Sequence, residues 1–373
     1  MKKVLYAAST ELHLLTFHLP YLEWFKSNNY EVHVAYNGNN LIPFADKTLN
    51  ISFGRSPFDK NNFKAFKDLK RLIDENDYAL IHCHTPMASL VTRLAAIKAK
   101  KKGAKVLYTA HGFHFYNKGP LKNWLIFFPI EWMLSFFTNG IITINSEDFN
   151  HLKSKRFSSP GKYMINGIGI DPARLNLVEK SEVKALRNEL GYLDNQILVL
   201  YIAEFIERKN HRFVIDSMPE IIKQCPNIKF IFAGSGKLKN EIEIYSSRLN
   251  LSSFIDFIGF RMDVGKFIAI SDIGISASKQ EGLGLGVAEM MFNGLPVIIS
   301  EDRGHKELVQ NKINGFMFNQ GDKKAFVNHV VSLYHDKKLR LEIGEIGRVS
   351  VKKFLIENSL NQMIKIYEEF NKD

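Results

Sequence analysis

The sequence predicts an α/β protein built from two doubly wound parallel sheets. Short apolar runs rich in β-branched residues alternate with helical stretches along the whole chain, a pattern typical of parallel strands covered by helices. The chain has 373 residues, more than one hydrophobic core usually serves, so two domains are expected. A stretch rich in Gly and Pro, residues 165–173, interrupts the alternation. We therefore predict two Rossmann-like domains facing across a cleft, since ligands of such sheets bind beyond the carboxyl ends of the strands.

The predicted elements follow in chain order. In the first half, strands are expected at residues 4–8, 31–36, 80–84, 105–110 and 141–145, with helices around 19–27 and 88–99. In the second half, strands are expected at residues 197–203, 229–233, 254–258, 273–278 and 297–300, with helices between them. The predicted domains are 1–170 and 171–355, and a C-terminal helix, 356–373, is expected to return to the N-terminal domain.

The composition is that of an ordinary globular protein, with 45% hydrophobic and 24% charged residues. Cys83 and Cys225 are too few for a disulfide framework or a cysteine zinc set, which is typical of a reducing cytosol. No apolar signal stretch follows the N-terminus. The longest apolar run, 124–137, contains Pro129 and Glu131 and is shorter than the roughly 20 residues that span a bilayer. We predict a cytoplasmic protein that is peripheral on the inner face of the cell membrane.

The positive charge is concentrated in the first half of the chain. The formal net charge is +11; residues 1–170 hold 22 Lys and Arg against 12 Asp and Glu, whereas residues 171–373 hold 28 against 27. Plain solubility is one explanation, and an anionic partner is the other. A membrane is favoured over nucleic acid because the basic clusters at 98–105 and 153–162 accompany the aromatic segment 124–137, and no nucleic-acid motif is present. The same segment also fits a core helix.

The stretch EGLGLGVAEMMFNGLPVIIS, residues 281–300, is predicted to form a glycine turn, a helix and a strand. Glycines in such a turn allow the backbone to approach a ligand, and the free N–H groups of the first helical turn form an anion site suited to phosphate. Glu281 would lie in the turn, facing a polar substrate. Glu289 would lie one to two turns into the helix, where a carboxylate can accept the hydrogens of a ribose diol. The alternative is a plain glycine turn with two solvated acids.

Three further polar stretches follow predicted strands of the second half. Arg208 and Lys209 would supply positive charge for a diphosphate, although single basic residues in loops are usually solvated. Residues 232–237 contain Gly234 and lack the spacing of a Walker loop, so a nucleotide contact and a simple turn both stay open. Residues 303–308 form another polar cap at the same sheet edge.

Six of the twelve histidines fall at or near strand ends of the first half: His13, His18, His82, His84, His111 and His114. A zinc site needs three or four ligands held close together, and the His-x-His pair at 82–84 is a modest start towards one. Because no set of acidic residues accompanies these histidines, we predict no metal. His111 is better explained as a polar or cleft-facing group. His82 and His84 alternate across a strand, so one of them is expected to be buried.

Together these residues resemble those of the retaining glycosyltransferases of family 4, which have the two-domain GT-B architecture. The motif that carries the resemblance is Glu-x7-Glu, from Glu281 to Glu289, with Gly284 in the turn. It follows Lys209 and the glycines of 232–237 in the order expected of the family. The resemblance covers essentially the whole chain.

Within this family the chain is most similar to bacterial enzymes of capsule, O-antigen and exopolysaccharide assembly. The stretches that carry this closer likeness are 17–21, 31–35, 110–116, 129–131 and 142–148. The resemblance implies retaining transfer of a sugar, an N-acetylated hexose, from a nucleotide-diphosphate donor, a UDP-sugar, to a polyprenyl-diphosphate-linked glycan. It also implies an N-terminal domain that binds the acceptor and faces the membrane, and a C-terminal domain that binds the nucleotide-sugar.

The resemblance implies a role for each matching residue. Glu289 should hold the ribose hydroxyls, and Glu281 should face the donor sugar. Lys209 should pair with the diphosphate, and His111 should approach the reacting carbon. The implied catalytic residues are His111, Glu281 and Lys209. The implied donor-binding residues are Glu289, Arg208, Gly284, Leu283, Leu285, Gly234 and Arg261, with Arg261 beside the base. The acceptor side is assigned to His13, His18, His114 and Tyr116.

One departure from the family pattern concerns the diphosphate. Many relatives have Gly-Arg-Leu before the lysine, where this chain has Ala-Glu-Phe at 203–205. Glu204 cannot bind a diphosphate as that arginine does, so either Arg208 compensates or Lys209 acts alone.

No cofactor and no metal are expected. A helix N-terminus and Lys209 can stabilise the charge of a nucleoside-diphosphate leaving group, and the chain has no Asp-x-Asp pair at a strand end. The family implies same-face attack through an oxocarbenium-like transition state. The expected partners are a nucleotide-sugar, a lipid-linked glycan and an anionic membrane surface, without nucleic acid. The alternatives are a UDP-sugar epimerase of the same fold and a non-catalytic nucleotide-sugar-binding protein.

Overall fold

The computed structural model describes residues 1–54, 56–175, 178–179 and 181–371. These residues form two compact units, which we call the first unit (residues 1–169 with the final helix) and the second unit (residues 170–355). Each unit contains one parallel sheet whose strands are joined through helices. The predicted fold class, two doubly wound Rossmann-like domains, is therefore confirmed.

Within the described residues, the first unit holds a seven-stranded sheet in the order β3-β2-β1-β4-β5-β6-β7. Its strands are β1 (Lys2–Thr10), β2 (Tyr30–Asn37), β3 (Lys47–Asn50), β4 (Tyr78–His84), β5 (Lys105–Ala110), β6 (Gly140–Thr143) and β7 (Gly161–Met164). The middle of β1, residues 4–8, is fully buried because helices cover both faces of the sheet. The edge strands β3 and β7 were not predicted, since their residues are partly exposed and carry little apolar signal.

Helices connect these strands. They are α1 (Glu11–Phe17), α2 (Leu19–Ser27), α3 (Asn61–Asp74), α4 (Pro86–Ala95), α5 (Ile97–Lys101), α6 (Leu121–Ser135) and α7 (Ser146–Ser154). Helix α6 contains most of the apolar run that the sequence marks, and Glu131 in that run is buried. In the part of the chain that the structure describes, no helix is both long enough and apolar enough to cross a membrane.

The second unit holds a six-stranded sheet, counted over the described residues, in the order β10-β9-β8-β11-β12-β13. Its strands are β8 (Ile197–Ile202), β9 (Ile228–Ala233), β10 (Ile255–Gly259), β11 (Ile273–Ser276), β12 (Val297–Ser300) and β13 (Phe316–Phe318). Its helices are α8 (Val183–Glu189), α9 (His211–Gln224), α10 (Lys239–Arg248), α11 (Val264–Ile270), α12 (Leu285–Phe292), α13 (His305–Leu308), α14 (Lys323–His335) and α15 (Lys337–Ser350). The other five strands, β8 to β12, correspond to predicted ones, whereas the short edge strand β13 was not predicted.

The final helix, α16 (Ile356–Asn371), packs on the first unit although it follows the second in the chain. It buries Met363, Ile366 and Tyr367. The hydroxyl of Tyr367 lies 2.8 Å from Nδ1 of His82 in β4 and 3.1 Å from the hydroxyl of Tyr6 in β1. These contacts join α16 to the two central strands of the sheet.

Candidate active site

The best-formed candidate site lies at the switch point of the second sheet. The strand order reverses between β8 and β11, so the chain leaves these two neighbouring strands in opposite directions. Open parallel sheets bind ligands at the carboxyl edge of such a switch point. Residues 203–211 follow β8 and residues 277–284 follow β11. These are the loops that contain Lys209 and Glu281.

The glycine turn after β11 leads directly into α12. Gly284 is the residue before the helix and has φ of 95°, a left-handed conformation that side chains with a Cβ atom rarely adopt. A Cβ atom there would also lie 3.0 Å from the ring of His305. Leu285 and Gly286 follow in the first turn of the helix, where backbone N–H groups have no intrahelical acceptor. The turn thus presents the positive end of a helix at the switch point.

Glu281 is the centre of a charged cluster in this turn. Lys209 Nζ donates a hydrogen bond to Glu281 Oε1, and Arg208 Nη1 lies 3.3 Å from Oε2. Burial by itself would raise the pKa of the Glu281 carboxyl, but the positive charges of Lys209 and Arg208 outweigh it and lower the pKa to about 2. Glu281 is 8% exposed as a residue, and its carboxyl is ionised at neutral pH. It is therefore a hydrogen-bond acceptor only.

The backbone of Glu281 is fixed by the loop after β12. The carboxylate of Asp302 accepts a hydrogen bond from the Glu281 N–H, and Arg303 Nε donates to the Glu281 carbonyl at 3.3 Å. Gly304 packs so closely on this turn that a Cβ atom would lie 2.8 Å from the Leu283 nitrogen. The sequence marks 303–308 only as a polar cap, and the role of Asp302 was missed. Its signal was a polar residue two positions after a buried strand.

His305 is a second residue that the sequence did not assign. Its Nδ1 donates to the Ser300 carbonyl at 2.7 Å, and its backbone N–H donates to Asp302 at 2.8 Å. Its Nε2 atom is buried and has no hydrogen-bond partner among the described residues. A Cβ atom on Gly284 would lie 3.3 Å from this nitrogen, so His305 backs the glycine turn.

Glu289 lies within α12 and has a different environment from Glu281. Its side chain is buried, with 7% of the residue exposed, and the described part of the chain supplies no hydrogen bond to its carboxylate. Burial raises the pKa of Glu289 to about 7; the charge of Arg174 lowers it and that of Asp171 raises it. A carboxyl with unused acceptor capacity is suited to a ligand that donates hydrogen bonds.

Gly234 and Arg261 both have partners within the second unit. The N–H of Gly234 donates to the Gly259 carbonyl at 2.8 Å, and a Cβ atom on Gly234 would lie 2.0 Å from the Ala203 carbonyl oxygen. Close packing of two loops thus explains this glycine. Arg261 forms two hydrogen bonds of 2.8 Å with Asp263. Contacts of Gly234 or Arg261 with a nucleotide-sugar donor stay predictions.

In the first unit, the structure brings together four of the six histidines that the sequence places at or near strand ends. One ring nitrogen from each of His13, His18, His84 and His111 lies within 4.8 Å of the others. Both His82 and His84 are buried, whereas only one was expected, because helices cover both faces of the parallel sheet.

His114 and Tyr116 have their contacts with α6 instead. The ring of His114 stacks on Phe127 with a centroid distance of 4.5 Å, and its carbonyl accepts a hydrogen bond from Asn123 at 2.9 Å. The carbonyl of Tyr116 accepts a hydrogen bond from Trp124 Nε1 at 3.0 Å. His114 and Tyr116 therefore lie in different surroundings from His13 and His18, and the predicted acceptor-side role of all four residues stays a prediction.

Comparison with known proteins agrees with the fold of both units. The second unit matches the family model described as "Glycosyl transferases group 1" over residues 182–350, and the first matches "Glycosyl transferase 4-like" over residues 3–145. The chain is 37% identical over 371 residues to the putative glycosyltransferase EpsD of Bacillus subtilis strain 168, covering 99% of this chain and 97% of that protein.

A more distant relative and a solved structure extend the comparison. The chain is 25% identical over 316 residues to the Escherichia coli UDP-Gal:alpha-D-GlcNAc-diphosphoundecaprenol alpha-1,3-galactosyltransferase, covering 82% of this chain and 81% of that protein. The crystal structure of Anabaena HepE with UDP and glucose has the same fold, with a TM-score of 0.80 at 20% identity over 99% of this chain and 100% of HepE. The chain therefore belongs to the glycosyltransferases of GT-B fold.

Proposed function

We propose that the protein is a retaining glycosyltransferase of cell-surface polysaccharide synthesis, using a UDP-sugar donor and a polyprenyl-diphosphate-linked glycan acceptor. The observation that carries the proposal is the buried, ionised Glu281, held by Lys209 and Arg208 at the turn that begins α12. The name of the E. coli relative gives a UDP-sugar and a diphosphoundecaprenol-linked sugar, and HepE was crystallised with UDP and glucose. These names support the same donor and acceptor classes here. The family resemblance favours an N-acetylated hexose as the donor sugar.

The leaving group is stabilised by charges that the second unit already holds in place. Departure of a nucleoside diphosphate builds negative charge on its distal phosphate. The first turn of α12 offers the positive end of a helix, and Lys209 adds a full positive charge beside it. Because these groups supply the stabilisation, the transfer is proposed to need no metal. Arg208, which is more exposed than Lys209, takes part of the role that the arginine of the relatives has.

Glu281 and Glu289 bind the donor through its hydroxyl groups. Glu281 stays ionised, since its pKa is held at about 2, and accepts hydrogen bonds from the sugar. Glu289 has free acceptor atoms and holds the ribose diol. Each hydrogen bond to a buried carboxylate contributes about 1.5–3 kcal/mol. The two acids thereby fix the position of the donor along α12, because one binds its sugar and the other its ribose.

Helix α6 is proposed to place the protein on an anionic membrane. Large apolar side chains on and just after it are exposed to solvent: Leu121, Leu125, Ile126, Trp132, Met133 and Phe136. Basic side chains flank both ends, because Lys155 Nζ lies 5.8 Å from the ring of Trp124 and Lys100 Nζ donates to the Phe136 carbonyl at 3.0 Å. An apolar patch bordered by basic residues is suited to the headgroup region of anionic lipid, where a lipid-linked acceptor is found.

The first test measures nucleotide release from a panel of UDP-sugars and GDP-sugars, with a polyprenyl-diphosphate-linked sugar as acceptor. Wild type should release UDP from one donor, and Glu281→Gln should lower kcat by about 10²–10³ because a fixed charge is lost at the sugar. Glu342→Gln, an exposed acid on α15, is the matched control and should keep the wild-type rate.

Two other outcomes of this test would each indicate a different function for the protein. Interconversion of one UDP-sugar without nucleotide release would make the protein an epimerase. UDP binding without turnover of any donor would make it a binding protein. The anomeric configuration of the product, measured by NMR, checks the retaining outcome, and inversion would contradict it.

A further inference from the structure

Four histidines meet at the switch point of the first sheet. The strand order reverses between β1 and β4, which are neighbours in that sheet. His13 and His18 follow β1, His84 is the last residue of β4, and His111 follows β5. One ring nitrogen of each lies within 4.8 Å of the other three. The histidines therefore occupy the position at which an open parallel sheet binds its ligand.

Five of the eight ring nitrogens of this cluster lack a hydrogen-bond partner among the described residues, whereas His84 Nδ1 lies 3.3 Å from His111 Nε2. His13 Nε2, both ring nitrogens of His18, His84 Nε2 and His111 Nδ1 are buried and without a hydrogen-bond partner among the described residues. His18 and His84 are each 1% exposed. Native proteins leave few buried polar atoms unsatisfied, and each one costs free energy. Five such atoms in one place indicate a ligand that accepts or shares their lone pairs.

His82 shows that the fold can satisfy a buried histidine when the role is structural. It lies two residues before His84 and is also fully buried. Its Nε2 lies 2.9 Å from the Thr109 hydroxyl and its Nδ1 lies 2.8 Å from the Tyr367 hydroxyl. Burial in this sheet therefore does not by itself leave imidazole nitrogens without partners.

We propose that His13, His18, His84 and His111 bind a divalent transition-metal ion, for which zinc is the best fit. Imidazole nitrogen is a preferred ligand of zinc, copper and nickel, whereas magnesium and calcium require oxygen ligands. Zinc–nitrogen bonds of about 2.0–2.1 Å place the nitrogens of a tetrahedral site about 3.3 Å apart. The ring nitrogens here lie within 4.8 Å of one another, so each nitrogen–nitrogen distance needs to shorten by roughly 1.5 Å at most to bind zinc. The sequence argument against a metal was the missing acidic residues, and four imidazoles complete a zinc site without them.

The test measures metal binding directly and does not depend on glycosyl transfer. Metal-stripped wild-type protein is dialysed against micromolar ZnCl2, and bound zinc is measured by atomic emission; one ion per chain is expected. His18→Gln and His84→Gln should each weaken zinc binding at least tenfold. His335→Gln, which removes an exposed histidine of α14, is the matched control and should bind zinc as wild type does.

A cobalt spectrum provides a second readout that needs no variant. Wild-type protein with Co²⁺ should show the intense visible bands of a four-coordinate ion with nitrogen ligands, and Zn²⁺ should remove them. The proposal is overturned if wild type binds no zinc, if the cobalt spectrum is that of a hydrated six-coordinate ion, or if folded His18→Gln binds zinc as tightly as the control. Circular dichroism establishes that each variant is folded.

Discussion

At the residue scale, two carboxylates of one short stretch have opposite properties. Glu281 and Glu289 are both buried, yet the pKa of Glu281 is about 2 and that of Glu289 about 7. The difference arises from partners rather than from burial, since Lys209 and Arg208 contact Glu281, whereas no described residue makes a hydrogen bond to the Glu289 carboxylate. A buried carboxyl without a partner destabilises the empty protein once it ionises. That cost is typical of a group whose partner is a ligand.

Glu289→Gln is therefore expected to stabilise the ligand-free protein at high pH. The folded pKa, about 7, lies above the ordinary value of 4.5, so stability falls as pH rises between these values and stays low above pH 7. At about 1.4 kcal/mol per pKa unit, the variant should gain on the order of 2–3 kcal/mol at pH 8 and less than about 1 kcal/mol at pH 5. Urea unfolding at both pH values measures the difference. A gain that is equal at the two pH values would contradict the assignment, and Glu342→Gln should show none.

At the element scale, α6 is held by one buried ion pair although much of its surface is exposed. Arg93 of α4 is fully buried, and its Nη2 lies 2.8 Å from Glu131 Oε2. The hydroxyl of Tyr108 donates to Glu131 Oε1 at 3.3 Å, and the Arg93 guanidinium stacks over the Tyr108 ring at 4.1 Å. This pair explains an acid inside the longest apolar run of the chain. The helix is fixed by Glu131 on its inner side and leaves apolar side chains free on its outer side.

Glu131→Gln is expected to destabilise the protein by about 3–5 kcal/mol, because it leaves the buried Arg93 charge without its counterion. Urea unfolding, followed by far-UV circular dichroism at pH 7, measures the loss. Glu23→Gln, an exposed acid on α2, is the matched control and should change the free energy of unfolding by less than about 0.5 kcal/mol. A loss no larger than that of the control would show that the pair does not anchor α6.

Binding to anionic vesicles is expected to depend on both charge and the outer side of α6. Wild type should sediment with vesicles that contain phosphatidylglycerol and not with pure phosphatidylcholine, and 0.5 M NaCl should release it. Leu125→Glu should weaken binding at least tenfold, because an exposed apolar side chain is replaced by an acid. Leu341→Glu, at an exposed position of α15, is the control and should bind as wild type does. Sedimentation that ignores lipid charge, salt and Leu125 would refute this surface.

At the scale of the whole molecule, the first unit is completed by the end of the chain. Helix α16 buries Met363, Ile366 and Tyr367 against it, and Ser359 donates to the Asn166 carbonyl at 2.9 Å. Residues 1–169 alone would leave His82 without one of its two hydrogen-bond partners. The first unit therefore requires residues that are synthesised after the second unit.

Deletion of residues 356–373 is expected to destabilise the first unit selectively. Hydrogen exchange followed by mass spectrometry should show lost protection in β1 and β4, which contact Tyr367 through Tyr6 and His82, and unchanged protection in β8 and β11. Tyr367→Phe keeps the ring and removes the hydroxyl, so it should lower the free energy of unfolding by only about 1–3 kcal/mol. Equal loss of protection in both units would contradict the assignment of α16 to the first.

Prediction from sequence succeeded where the signal was local and strong. The inner strands of both sheets are continuous apolar runs, so their positions and the fold class could be read directly. The edge strands β3, β7 and β13 were not predicted, because β3 and β7 are short and partly exposed and β13 has only three residues. The turn at Glu281 was marked by its glycines, whereas Asp302 and His305, which fix that turn, come from a loop that only the sheet brings next to it.

The sequence by itself determined the alternation of strands and helices, the glycine turn with its two acids, and the basic first half, since each depends on residues that are close in the chain. Only the tertiary structure decided which side chains share an environment. It gave Glu281 and Glu289 different pKa values, paired Glu131 with Arg93, and gathered four histidines from the ends of three strands. The physical reason is that burial, counterions and unsatisfied ring nitrogens are properties of contacts between distant segments, which spacing along the chain does not encode.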